Sequence, residues 1–260
     1  MIRIGGSVEE FNEWLKPVSA IADETRFFIK PEGLEIKVVD PANVALIETN
    51  LPKTAFYKYE VDEILTAGID LCAVNSMLEN ADDGEMVVMN IITSQDCHLG
   101  DPEAKLSTLE LTVENFTDSI STLGPASLRK TPIIHKPHQP TEFRIGQELL
   151  QRVAKKADRV SDYLLIEMAN NDNKFKLTFS AEGDQTRKFR AVFEGLNNMR
   201  CHDHTKSLYS LDYFMDLVGS IKKGRIVAVK TGQNCPLAMS FEVLNGGSTT
   251  LMIAPRVESE

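Results

Sequence analysis

Cysteine is scarce in this chain, and none of the four, Cys72, Cys97, Cys201 and Cys235, stands in a Cys-x-x-Cys pair. A disulfide framework is therefore not expected, and a reducing, intracellular compartment is. No apolar run reaches the length of a signal peptide near Met1 or of a membrane-spanning helix elsewhere, so neither export nor a membrane partner is expected. The Asn115-Phe116-Thr117 sequon carries no weight without export. Positive charge is in deficit: 28 Lys and Arg stand against 38 Asp and Glu, a net charge of −10. That excludes a protein that holds nucleic acid through bulk charge, so such a contact requires a local basic patch. Catalytic signatures are missing too, with no GxxxxGK[ST] loop, GxGxxG turn, GxSxG elbow or HExxH helix. Cys201-His-Asp-His204 is the densest group of metal-ligand types, but it has no matching group at finger spacing and reads as a surface loop. Asp82-Asp83 beside Gly84 reads as a solvated turn, and His98, His135 and His138 have no base–nucleophile partner. The expectation is a non-enzyme without metal or cofactor.

What is present begins with Glu148 to Val160. Leu149, Leu150, Val153, Ala154, Ala157 and Val160 fall at the spacing of one helix face. Arg152, Lys155, Lys156 and Arg159 fall on the opposite face. This helix has an apolar side for a core and a cationic side for something anionic, or for plain solvation.

The pattern around it occurs twice. Ser7-Val-Glu-Glu10 is a capping box that opens a helix with apolar positions Phe11, Trp14, Leu15, Val18 and Ile21. Pro17 predicts a kink or an early end. Arg26–Ile29, Leu34–Val39, Val44–Leu51 and Tyr57–Glu60 read as strands. Leu71, Val74, Leu78 and Ala81 mark a second helix, followed by strands at Glu85–Ile92, Lys105–Val113 and Phe116–Leu123. Glu114-Asn115 predicts a hairpin turn between the last two strands. Residues 124–140 hold four prolines (Pro125, Pro132, Pro137 and Pro140) and no periodicity, and so form an extended connector. Displaced by about 140 positions, the first helix falls on Leu150, Val153, Ala154, Ala157 and Val160, and the second on Leu211, Phe214, Val218 and Ile221. The expected organisation is an N-terminal domain at 1–123, a connector at 124–140 and a C-terminal domain at 141–260. Each domain is α+β, with two helices on one face of an antiparallel sheet.

Four stretches carry a resemblance: Leu34-Glu-Ile-Lys-Val-Val-Asp-Pro-Ala-Asn-Val-Ala-Leu46; Leu128-Arg-Lys-Thr-Pro-Ile-Ile134; the basic helix ending Ala157-Asp-Arg-Val-Ser-Asp162; and Cys235-Pro-Leu237 with Leu251-Met-Ile-Ala-Pro-Arg-Val-Glu258. In this order, with an internal duplication, the chain resembles the sliding clamps of DNA replication, the proliferating-cell-nuclear-antigen family. The Ser-Leu-Arg-Lys-x-Pro connector looks more like archaeal members. The resemblance implies a homotrimeric ring of two-domain clamp subunits, with helices lining a hole through which duplex DNA passes and curved sheets outside. It implies a processivity factor, not an enzyme, that tethers DNA polymerase, flap endonuclease and DNA ligase through client peptides and is placed on DNA by a clamp loader of the replication factor C type. It implies a cytoplasmic location, the cytosol and nucleoid of an archaeon, or the nucleus in a eukaryote. Topological binding reconciles DNA with an acidic chain, because sliding contacts to phosphates are weak and sequence-independent.

By the same resemblance, the DNA-facing residues are Lys16, Arg152, Lys155, Lys156, Arg159, Lys222 and Lys223. Members often carry lysines where this chain has Ser76 and Glu79, and Asp82-Asp83 stand where its own second half has Lys222-Lys223. Either the cationic field is weighted toward the second domain or these acidic turns point away from DNA. The client-peptide groove is lined by Val39, Asn43, Val44, Leu46, Ile133, Ile134, Pro236, Ala254, Pro255, Arg256 and Val257. For Val39, Val44 and Leu46, plain strand core is an equal reading. The subunit interface falls on Phe116, Asp118 and Ile120 of one edge strand and Arg187, Lys188 and Arg190 of another, with an electrostatic part to closure. The competing reading is a non-ring α+β regulator that binds nucleic acid through the basic helix face.

Overall fold

The structure, a computed structural model, describes residues 2–93, 107–124, 128–130, 139–171, 174–183, 187–196, 198–201 and 204–256. The first half runs β1 (Ile2–Ser7), α1 (Val8–Ser19), β2 (Glu24–Lys30), β3 (Gly33–Val39), β4 (Ala45–Pro52), a 3-10 turn (Lys53–Ala55), β5 (Lys58–Glu60), β6 (Leu65–Asp70), α2 (Leu71–Leu78), β7 (Met86–Ile92), β8 (Thr108–Val113) and β9 (Phe116–Ser121). The second runs β10 (Thr141–Gly146), α3 (Gln147–Ala157), β11 (Tyr163–Asn171), β12 (Lys174–Glu182), β13 (Lys188–Glu194), β14 (Thr205–Ser210), α4 (Leu211–Ser220), β15 (Ile226–Thr231), β16 (Leu237–Val243) and β17 (Gly247–Ile253). The fold is α+β, with few helices on antiparallel strands.

Backbone contacts divide the chain into two units. The first comprises Met1–Pro41, Ile47–Ile133 and Glu242–Thr249; the second comprises Ala42–Leu46, Ile134–Phe241 and Thr250–Glu260. This differs from a simple cut at the connector, since each unit takes a short segment from the far half of the sequence. The reason is long-range pairing: Thr49 and Thr249 hydroxyls meet at 3.0 Å in the first unit, and the Ala254 N–H donates to the Val44 carbonyl at 2.8 Å in the second.

In the first unit, β5-β1-β7-β8-β9 form a five-stranded sheet, and β2 lies between β3 and β6. Helix α1 rests on β1 and β7, and α2 on β2, β6 and β8. Phe11, Trp14 and Phe27 meet at ring separations of 5.4 and 5.7 Å and are fully buried, and such pairs add about 0.5–1.5 kcal/mol each beyond area burial. The capping box forms as expected: Ser7 Oγ accepts from the Glu10 N–H, and Glu10 Oε2 from the Ser7 N–H. Pro17 lies in the last turn of α1, which ends at Ser19, so its missing donor is lost where the helix is stopping. The β8–β9 hairpin closes on Glu114-Asn115, with Val113 opposite Phe116 and Glu114 in the left-handed region at φ 50.

In the second unit, β13-β12-β11-β14 form a four-stranded sheet, β15 pairs with both β10 and β16, and α3 packs on α4 and on β10 to β13. The duplication extends to individual hydrogen bonds. The Val8 N–H donates to the Glu85 carbonyl as that of Gln147 does to Arg225, and the Leu71 N–H donates to Asp23 as that of Leu211 does to Asp162. Each helix start is thus held by the equivalent turn in each unit.

Candidate DNA-facing, client and assembly surfaces

Helix α3 buries Leu150, Val153, Ala154 and Ala157, and leaves Arg152, Lys155 and Lys156 exposed on the other side. The helix is shorter than its periodicity suggests. It ends at Ala157, so Arg159 lies in the following turn, where the Val160 and Ser161 N–H groups both donate to the Ala157 carbonyl. The Lys222-Lys223 turn is tied to the start of α3, because the Gly224 N–H donates to Glu148 Oε1 at 2.8 Å. Lys223 is exposed and Lys222 half-buried. The structure therefore places five of the six second-half cations expected to face DNA, Arg152, Lys155, Lys156, Lys222 and Lys223, on α3 and at its N-terminal end. Lys16 is exposed in the last turn of α1, in the first unit.

The neighbouring α4 exposes Asp212 and Asp216. Partial burial lifts the Asp216 carboxyl above the usual carboxylate range, and repulsion from Asp212 adds to the shift. In the first unit, the Asp83 carbonyl accepts the Glu9 N–H, which brings the exposed Asp82-Asp83 turn to the start of α1. That is the electrostatically favourable end of a helix for acidic side chains.

The groove residues separate by unit. Asn43, Val44, Leu46, Pro236, Ala254, Pro255 and Arg256 belong to the second, Val39 to the first. Ile133, Ile134 and Val257 lie outside the described residues. Val39, Val44 and Leu46 are half-buried, while their strand neighbours Val38, Ala45 and Ile47 are buried. Period-two alternation turns the former away from the core. Asn43 is exposed at φ 59, a left-handed conformation that asparagine tolerates. Arg256 is fixed by its backbone, whose N–H donates to the Leu208 carbonyl at 2.7 Å, and its guanidinium lies 4.5 Å from the Tyr163 ring centre. Beside them is a concavity of about 550 Å³ whose lining includes Tyr163, Lys206, Gln233 and Arg256. Sequence reasoning missed this hollow, because its residues come from distant strands.

Strands β9 and β13 each lie at the edge of their sheet. Phe116 is 77% exposed, and Asp118 and Ile120 share its face of β9. On β13, Lys188, Arg190, Val192 and Glu194 share an exposed face, with Arg187 just before the strand. Lys188 is already engaged within the chain, 3.0 Å from Glu182. Val192, 43% exposed, is an apolar edge residue hidden from sequence reasoning by its place in an ordinary alternating strand.

Of the Cys201–His204 group, His202 and Asp203 lie outside the described residues. Cys201 is buried with its Sγ 3.4 Å from Thr141 Oγ1, whereas His204 is exposed with Nε2 2.6 Å from Glu167 Oε1. Among the described residues, no group of three or more His, Cys, Asp or Glu could hold a metal ion, and no helix is long and apolar enough to cross a membrane.

Comparison with known proteins fits this arrangement. The family model for the N-terminal domain of proliferating cell nuclear antigen matches residues 11–99. The DNA polymerase sliding clamp of Methanococcoides burtonii is 31% identical over 248 residues, which is 95% of this chain and 94% of that protein. The PCNA of Thermococcus kodakaraensis superposes with a TM-score of 0.81 at 25% identity, covering 98% of this chain and all of that one. The A. fulgidus PCNA, solved with the C-terminal region of FEN-1 bound, has the same fold, with a TM-score of 0.83 at 23% identity over the whole of both chains. The chain belongs to the proliferating-cell-nuclear-antigen family of DNA polymerase sliding clamps.

Proposed function

We propose that three copies of this chain close head to tail into a ring that encircles duplex DNA and tethers replication and repair enzymes to it. The observation that carries the DNA reading is the exposed cationic face of α3 in a chain of net charge −10. Such a surface suits sliding contacts to phosphates inside a ring better than tight capture from solution. Lys16, Arg159 and Lys222 join Arg152, Lys155, Lys156 and Lys223 as the DNA-facing set. Closure pairs β9 of one copy with β13 of the next, a heterologous contact that covers both edges. Phe116, Asp118 and Ile120 then face Arg187, Lys188 and Arg190, with Val192 beside them. Clients, among them DNA polymerase, flap endonuclease and DNA ligase, insert a motif with a glutamine, an aliphatic residue and two aromatics. Val39, Asn43, Val44, Leu46, Ile133, Ile134, Pro236, Ala254, Pro255, Arg256 and Val257 receive it. The chain is a scaffold, not an enzyme, loaded by a replication factor C-type ATPase and working in the compartment that holds the DNA.

Loaded on linear DNA with both ends blocked, the protein is expected to stay bound, and cutting off one block is expected to release it. A protein that grips DNA directly would be indifferent to the cut, and that result would favour the non-ring regulator. For the groove, Val44→Glu places a charge on a half-buried apolar position. It is expected to weaken a fluorescent client peptide at least about tenfold without altering the solution mass; an unchanged peptide affinity would remove Val44 from the groove.

A further inference from the structure

Within the first unit, the start of the connector is bound down by a series of specific contacts. Strand β6 carries Gly68, which lies directly opposite Arg26 of β2. The Leu123 N–H donates to the Gly68 carbonyl at 2.8 Å, and Leu128 is buried close above the same glycine. A Cβ at position 68 would come within 2.4 Å of the Leu123 carbonyl oxygen and 2.8 Å of Leu128 Cδ1, so only glycine permits this approach. The half-buried Arg26 guanidinium donates to the carbonyls of Leu128 and Arg129. Arg129 in turn reaches the loop after β3, donating from its two terminal nitrogens to the Asp40 carbonyl at 3.1 Å and the Pro41 carbonyl at 3.0 Å.

Three features make this more than a surface contact. Both guanidiniums hold two adjacent carbonyls at once, which a planar fork does and a lysine ammonium does less well. The contacts act in series, from β2 and β6 to residues 128–129 and then to residues 40–41. And residues 40–41 lead within two positions to Asn43, which has left-handed backbone, and then to Val44.

We propose that Arg129, braced by Arg26, is a positioning residue for the client groove. It fixes the turn after β3 and so presets Asn43 and Val44 to receive a client peptide. The inference rests on the assignment of Asn43 and Val44 to that groove. A turn held in its binding conformation spares the client the cost of ordering it, which appears as affinity. Removing the fork is therefore expected to loosen the turn without touching any residue that meets the client.

The test measures binding of a synthetic peptide carrying the glutamine, aliphatic and two aromatic residues to the full chain, with light scattering as a control on assembly. Arg129→Ala and Arg26→Ala are each expected to weaken the peptide about five- to tenfold, and the solution mass should stay unchanged. Arg129→Lys should recover part of the loss, whereas Arg129→Gln should not. Because the two arginines act in series, the double alanine variant should bind about as weakly as the worse single variant. Faster exchange of the Asn43 and Val44 amides in Arg129→Ala would mark the turn itself. Unchanged peptide affinity in Arg129→Ala, or losses that simply multiply in the double variant, would overturn the inference. Val44→Glu separates the two levels. If it abolishes binding while Arg129→Ala does not, the groove stands and the positioning role falls; if Val44→Glu has no effect, the groove assignment fails first.

Discussion

A chain carrying Arg152→Glu, Lys155→Glu, Lys156→Glu and Arg159→Glu together is expected to keep its fold and solution mass but to lose its hold on DNA. Arg152, Lys155 and Lys156 project from the exposed side of α3, and Arg159 is exposed in the turn beyond it, so none supports the core. Each phosphate that is no longer neutralised lowers the slope of log affinity against log salt by about 0.9, and reversal adds repulsion. Direct affinity for open-ended duplex DNA is expected to fall by more than about a hundredfold at low salt, with the remaining binding nearly insensitive to salt, whereas a ring already closed between blocked ends stays trapped. Direct affinity and salt dependence equal to those of the unaltered chain would place the DNA elsewhere. The exposed Asp212 and Asp216 on α4 make the outcome sharper, because once the α3 cations are reversed little in the helix pair offsets their charge.

The second large effect belongs to the strand edges. Phe116→Asp, or Arg187→Glu with Arg190→Glu, is expected to convert the assembled protein into single chains of 29.0 kDa. Burying a phenylalanine contributes about 1.5–3 kcal/mol, and Phe116 is 77% exposed in the isolated chain, so most of that gain is available only on assembly. Lys188 is the less informative target because Glu182 already neutralises it at 3.0 Å. The electrostatic share is read from salt: dissociation on dilution should become easier as ionic strength rises. Pairing Asp118→Arg with Arg190→Asp should restore part of the assembly that either change weakens alone. A mass unaffected by Phe116→Asp and by charge reversal would show that these edges do not meet.

The elements most legible in the sequence were those with strong periodicity and local signals. The capping box at Ser7 and Glu10 and the hairpin turn at Glu114-Asn115 form where they were expected, since each is decided by residues within four positions. The duplication was legible because both halves preserve apolar spacing, and the matching Val8–Glu85 and Gln147–Arg225 bonds give it a structural basis. Strand β6 escaped notice: its short run Leu65-Thr-Ala-Gly-Ile-Asp70 is interrupted by the glycine that the connector needs. Helix α3 stops at Ala157 although apolar spacing continues to Val160, because periodicity reports a face and not the point where turn hydrogen bonds take over.

The surfaces were legible only in part. The cationic face of α3 follows from spacing alone, but the packing of α4, with its exposed Asp212 and Asp216, against α3 is tertiary. For Val39, Val44 and Leu46, composition could not tell which face of the strand they occupy; the alternation with buried Val38, Ala45 and Ile47 puts them on the less buried face. The bracing of residues 40–41 by Arg129 and Arg26 lies beyond any local rule, because its donors and acceptors are far apart in the chain.

The measurement that bears most directly on the ring is the solution mass of the unaltered chain, by light scattering across a dilution series at low and high salt. A species near three times 29.0 kDa at low salt, giving way to smaller species on dilution at high salt, is the predicted result. A mass of 29.0 kDa at every concentration and salt would contradict self-assembly into a ring. The basic face of α3 would then belong to a subunit that requires different partner chains, or to a protein that binds nucleic acid without encircling it.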